Sequence, residues 1–115
     1  MTPSEFRKMA LGLRGSEEHA HMGHPDFRVA GKIFATLGYP RPDMAMVKLT
    51  PEQQHAYTHA DPDAFVSVKG AWGAKGCTNV VLRKASKAAV RSALDDAWGN
   101  HAPKSPQSTT KRKTS

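Results

Sequence analysis

Three imidazoles and three carboxylates fall within ten residues, in Glu17-Glu18-His19-Ala20-His21-Met22-Gly23-His24-Pro25-Asp26. On an extended backbone Glu17, His19 and His21 project from one face, and His24 follows just past Gly23. Imidazoles two apart on a strand can chelate Zn²⁺, Ni²⁺ or Cu²⁺, with a third histidine or Asp26 completing the shell. The same rings can carry protons near neutral pH. A polar strand face whose histidines meet water has the same pattern, as does a His24 hydrogen-bonded to Asp26. A metal or small-ligand site at His19, His21 and His24 is therefore one alternative reading of function, a protein-interaction domain being the other, and neither is the leading one.

The second constellation is Lys69-Gly70-Ala71-Trp72-Gly73-Ala74-Lys75-Gly76. Lys69, Lys75, Arg83 and Lys84 flank Trp72, pairing phosphate-binding cations with an aromatic ring that can stack or wedge. The pattern reads as the tip of a β-hairpin, or wing, and a hairpin carrying Arg28 and Lys32 makes a second projection. With Lys48, these residues are the candidate contacts to double-stranded DNA. A Trp72 packed on the domain, with lysines that keep a sheet edge from pairing, fits the same residues. Gly70, Gly73 and Gly76 do not open a helix, so they lack the context of a dinucleotide loop. Cys77 has no sequence cue to a paired base, and neither a G-x-S-x-G elbow nor a Walker phosphate loop occurs. No catalytic residue and no cofactor is expected.

Composition bounds these readings. The 115 residues are 38% apolar, enough for one modest core, and 17 basic against 10 acidic residues give a formal charge of +7. Such an excess favours anionic partners. A single cysteine, Cys77, excludes an intramolecular disulfide and a Cys-based zinc site. No run approaches the roughly 18 apolar residues of a membrane span, and no basic segment leads into a long apolar one. The expectation is a soluble, cytoplasmic, monomeric domain with no membrane partner. Pro103 to Ser115 hold no aliphatic or aromatic residue and read as a disordered basic tail, leaving residues 1–102 as the single domain. The Lys111-Arg112-Lys113 run is a solvated charge cluster. Because Lys104, Lys111, Arg112 and Lys113 lie in the tail with no acid, the stretch through Ala102 has 13 basic and 10 acidic residues, or +3.

The elements that must position these groups are legible from caps and periods. Thr2, Pro3 and Glu5 have the spacing of a capping box with proline at the first helical position, and Phe6, Met9, Ala10 and Leu13 follow on one face. From Glu17 to Leu49 the period becomes two, with a hairpin turning at Ala30-Gly31. Ile33, Ala35 and Leu37 then share the inward face, opposite Lys32, Phe34 and Thr36; Ala45, Val47 and Leu49 make the next. Thr50-Pro51-Glu52-Gln53 repeats the capping device for a helix with Ala56, Tyr57 and Ala60 inward. Phe65–Val68 and Thr78–Arg83 read as strands. Ser86 caps a helix with Val90, Ala93, Leu94, Ala97 and Trp98 inward and Gly99 at its end. This order gives an α+β domain, an antiparallel β-sheet packed against N- and C-terminal helices.

His21-Met22-Gly23-His24-Pro25-Asp26-Phe27-Arg28-Val29, Ile33 to Gly38, Met46 to Gln54, and Trp72-Gly73…Gly76…Thr78-x-Val80 occur in an order and spacing that resemble the MmcQ/YjbR-like family. The resemblance runs from about Ser4 to Trp98. It implies a CyaY-like (frataxin-like) arrangement, similar also to the double-wing DNA-binding domain, and a DNA-binding role by that structural analogy. It brings no catalytic set. Arg14 stands where the family usually has proline. The acidic surface of frataxins has no counterpart beyond Glu17-Glu18 and Asp95-Asp96, which argues against iron delivery.

Overall fold

A computed structural model describes residues 1–21 and 23–103. Beyond Pro103, the tail expected from the sequence lies outside the described residues. Helix α1 (Pro3–Leu11) begins as its cap predicts: Thr2 Oγ1 accepts from the Glu5 backbone N–H at 3.1 Å, and the Thr2 N–H donates to Glu5 Oε1 at 2.8 Å. Lys87 Nζ lies 2.8 Å from Glu5 Oε2. The Lys87 bond first, and the Thr2 N–H second, hold the Glu5 carboxyl well below its usual range, at about 2.

The chain then forms β1 (Ser16–His21), β2 (His24–Val29), β3 (Lys32–Leu37) and β4 (Met44–Lys48), followed by α2 (Pro51–Ala60) and β5 (Phe65–Ser67). A helical turn α3 (Ala71–Ala74), strand β6 (Cys77–Val81) and α4 (Lys87–His101) complete it. The six strands make one antiparallel sheet in the order β1-β2-β3-β4-β6-β5. Helices α1 and α4 pack on one face, the side to which Phe27, Ala35, Val47 and Val80 point. With Phe6, Phe34, Phe65, Leu82, Val90 and Leu94 they form the core, each almost wholly shielded from solvent. Among the described residues no helix layer covers the opposite face. One cross-strand row on it runs His19–Asp26–Thr36–Met46–Asn79–Val66.

Three local expectations are corrected. Strand β3 does not alternate strictly: Phe27 pairs with Ala35 but Arg28 pairs with Ile33, so Phe34 is an extra residue. This β-bulge resets the alternation. Phe34 is fully buried beside Ala35, and Ile33 turns to the open face, half-exposed. Helix α2 has its predicted capping box, but Ala56 and Ala60 are exposed and none of its residues is buried. It is held largely through Tyr57, whose ring packs on Phe65 at 5.1 Å and whose Oη donates to Asp96 Oδ2 at 2.7 Å and lies 2.6 Å from Ser92 Oγ. Burial, foremost, pushes the Tyr57 hydroxyl up to about 12. Finally, Gly99 lies inside α4, which continues to His101; Asn100 Nδ2 donates to Gln53 Oε1 at 2.8 Å and fastens that last turn to α2.

The connection from β5 to β6 is pressed against its neighbours. A Cβ on Gly73 would fall 1.6 Å from the Val68 carbonyl oxygen, and one on Gly76 1.9 Å from that of Leu49. Gly99 faces open space. Gly73→Ala is therefore expected to cost about 3 kcal/mol or more by overpacking, whereas Gly99→Ala should add about 1 kcal/mol through helix propensity; urea denaturation of both variants measures the contrast. For Glu5, the folded pKa is depressed, so its contribution is complete above about 4.5 and is lost as pH falls towards 2. Glu5→Gln should flatten the acid limb of the stability profile within that window, read by thermal melting at successive pH values.

Candidate functional site

The strand order gathers residues far apart in sequence. Lys48 ends β4 and pairs in register with Cys77 at the start of β6, on the open face. Lys32 begins β3 at the same end of the sheet, next to the Ala30-Gly31 turn, where both residues have positive φ (52° and 79°) and give the tight primed-type reversal of a two-residue hairpin. The β5–β6 connection starts and finishes at this end too. It does not project as the expected extended hairpin tip. Residues 71–74 wind into a helical turn instead, because the missing side chains of Gly73 and Gly76 let the segment lie directly on Val68 and on the β4–α2 junction. Gln54 fixes it there: its Nε2 donates to the carbonyls of Gly73 at 3.0 Å and Cys77 at 2.9 Å.

The consequence is an aromatic platform flanked by cations. Trp72 is 60% exposed, and the Nζ atoms of Lys48 and Lys75 stand 5.4 and 5.5 Å from its ring centroid. Both are within the range of a cation–π contact. Lys69 lies exposed on the same connection. Among the described residues none of Lys32, Lys48, Lys69 and Lys75 has a carboxylate within salt-bridge distance. Beneath them Cys77 is buried, and that burial raises its thiol pKa against the opposing pull of Lys48 and Lys75. The sulfur is thus held as a thiol, the poorer nucleophile.

Two other predicted contacts are placed differently. Arg28 sits on the open face but forks onto Asp26, with Nε 2.8 Å from Oδ1 and Nη2 3.3 Å from Oδ2. Asp26 is only 2% exposed, so this pair neutralises a carboxylate folded into the sheet. Arg83 follows β6 at the far end, 3.7 Å from Asp43. The histidines also lie towards that far end. His19 Nε2 is 3.3 Å from Glu17 Oε1, and the His24 ring meets Tyr39 edge-on at 5.5 Å. His21 and His24 pair in register across the β1–β2 turn. Among the described residues no group of three His, Cys, Asp or Glu side chains is arranged to hold a metal ion.

This pattern of strands, with a helix at each end and the Trp72 segment folded on the β4–α2 junction, coincides with a family match over residues 11–100 to the YjbR model. The chain belongs to the YjbR family. A comparison with curated proteins gives no match. The family span runs from the end of α1 to the last turn of α4, and so includes Lys48, Trp72 and Lys75 together with the Gln54 that positions them. The sequence singles out Lys48, Trp72 and Lys75 as candidates but gives no sign of the hydrogen bonds of Gln54 and Tyr57, whose partners lie 19 to 39 residues away. Among the described residues no helix is long and apolar enough to cross a membrane.

Removing one partner of the Arg28–Asp26 pair leaves the other stranded. Arg28→Met is expected to lower the melting temperature more than the double variant Arg28→Met/Asp26→Leu, because only the single variant keeps a buried carboxylate without its cation. Calorimetric melts of the two proteins measure the difference.

Proposed function

We propose that the Lys48–Trp72–Lys75 end of the sheet is a phosphate-binding surface for double-stranded DNA, and that the chain is a monomeric, non-catalytic, cytoplasmic DNA-binding module. One observation carries the reading: Lys48 and Lys75 flank an exposed Trp72, and Lys32 and Lys69 lie at the same end of the sheet, none of the four with an acidic partner among the described residues. Ammonium groups pair with backbone phosphates as point charges, and an indole can stack on a base or lie against a sugar. Arg28 and Arg83 are secondary in this reading, since each is engaged by an aspartate.

Counterion release makes the proposal quantitative. Neutralising about four phosphates gives a log–log salt slope near −3.6, or about a 150-fold loss of affinity between 50 and 200 mM salt. Fluorescence anisotropy of a labelled duplex measures that slope. Lys48→Ala/Lys75→Ala should reduce it to about −1.8, and Arg83→Ala should leave it unchanged. Absence of binding at low salt, or binding indifferent to salt, refutes the reading.

A further inference from the structure

Helix α2 carries a second pair of imidazoles that the DNA surface does not use. His55 and His59 are one helical turn apart, both exposed, and their rings lie nearly parallel, 19° between planes, with centroids 5.6 Å apart. Neither ring makes a hydrogen bond to the described residues, so their nitrogens are available. Residues four apart on a helix lie on one face, one above the other. With metal–nitrogen bonds of about 2.0–2.1 Å, two imidazoles on one ion have centroids about 5 Å apart. An ion held by both nitrogens lies in both ring planes, so the stacked rings must turn about their side-chain torsions to aim one nitrogen each at a common centre, a movement open to two exposed side chains one helical turn apart. We propose that His55 and His59 form a two-imidazole site for a divalent transition metal ion, and that the ion staples the C-terminal half of α2.

The helix makes this consequential. Because α2 fully buries none of its residues, its order rests on the Thr50–Gln53 capping box, on the Gln53, Gln54 and Tyr57 hydrogen bonds, and on the Tyr57 ring packed against Phe65 at 5.1 Å. All of these anchors lie at Tyr57 or before it. Beyond Tyr57 the last turn has its backbone bonds, including the Asp61 N–H to the Tyr57 carbonyl at 3.0 Å, and one side-chain bond within the helix itself, from Thr58 Oγ1 to the His55 carbonyl at 3.3 Å. A chelate spanning His55 and His59 supplies the fastening that this turn lacks. No third His, Cys, Asp or Glu side chain among the described residues joins a metal-holding group. The remaining coordination positions are therefore filled by water or by groups of another molecule. Neutral imidazole ligands suit Cu²⁺, Ni²⁺ and Zn²⁺, and Cu²⁺ is expected to bind tightest.

The test is calorimetric titration of the full, untagged chain with Cu²⁺, Ni²⁺ and Zn²⁺ at pH 8. One ion per chain is expected, in the order Cu²⁺ first. His55→Gln or His59→Gln should each weaken binding about 100-fold, because a two-point chelate becomes a single ligand. A variant with His19, His21 and His24 all changed to Gln should bind as the parent does. As a readout of stapling, amide exchange of residues 58–61 should slow with metal in the parent and not in His59→Gln. No binding, binding unchanged by His55→Gln/His59→Gln, or binding lost only in the variant at positions 19, 21 and 24 overturns the proposal.

Discussion

The pairing of β4 with β6 is the constraint on which the rest of this protein depends. Strands β1 to β4 are a meander of consecutive antiparallel neighbours, each joined to the last by a short turn or loop. Pairing Met44–Lys48 with Cys77–Val81 closes a loop that contains α2, β5 and α3. Such a closure costs chain entropy before any contact repays it. Repayment comes from Val47, Thr78 and Val80, all fully buried at the seam. The seam also puts Lys48 opposite Cys77, and so brings the Trp72 segment, tied down by Gln54, to the end of β4. Without that register the lysines on either side of the indole would belong to unrelated parts of the surface.

Electrostatics sorts the cations into two kinds. Arg7, Arg28, Arg83 and Lys87 lie against Glu18, Asp26, Asp43 and Glu5 and serve the fold or its edges. Lys32, Lys48, Lys69 and Lys75 have no such partner among the described residues and converge on one end. The net +7 of the chain is thus a poor guide to its chemistry. Through Ala102 the excess is only +3, and its arrangement matters more than its size. A modest charge whose unpaired lysines gather at one end leaves a local field that a uniform distribution would not.

Local signals with a stereochemical cause were the readable part of the chain. The capping boxes at Thr2 and Thr50, the Ala30-Gly31 reversal and the apolar stripe of α4 all appear where residue type demands them. The misreadings share one origin, in that a distant partner overrides a local pattern. Lys32 to Leu37 alternate well enough to hide a bulge, because only the partner strand reveals that Phe34 is the extra residue. The glycine-rich stretch around Trp72 reads as a projecting hairpin tip, yet Gly73 and Gly76 bring backbones into contact. Helix α2 lacks a buried stripe, and its polar anchors sit on α3, α4 and β6. Gly99 looked like a stop until Asn100 found Gln53. The candidate contacts were visible as residue types; their convergence needed the strand order, which no spacing in the sequence encodes.

An open sheet of six strands also has two rims where other chains could add themselves. One rim is β5, only three residues long, which offers little ladder to copy. The other is β1, six residues, whose sequence Ser16-Glu17-Glu18-His19-Ala20-His21 contains no β-branched or aromatic side chain. Short strands and charged strands are how monomeric sheets resist edge-to-edge growth. Glu17 and Glu18 thus act as a guard rail: two like charges on the rim strand disfavour the docking of a second copy of the same strand beside β1.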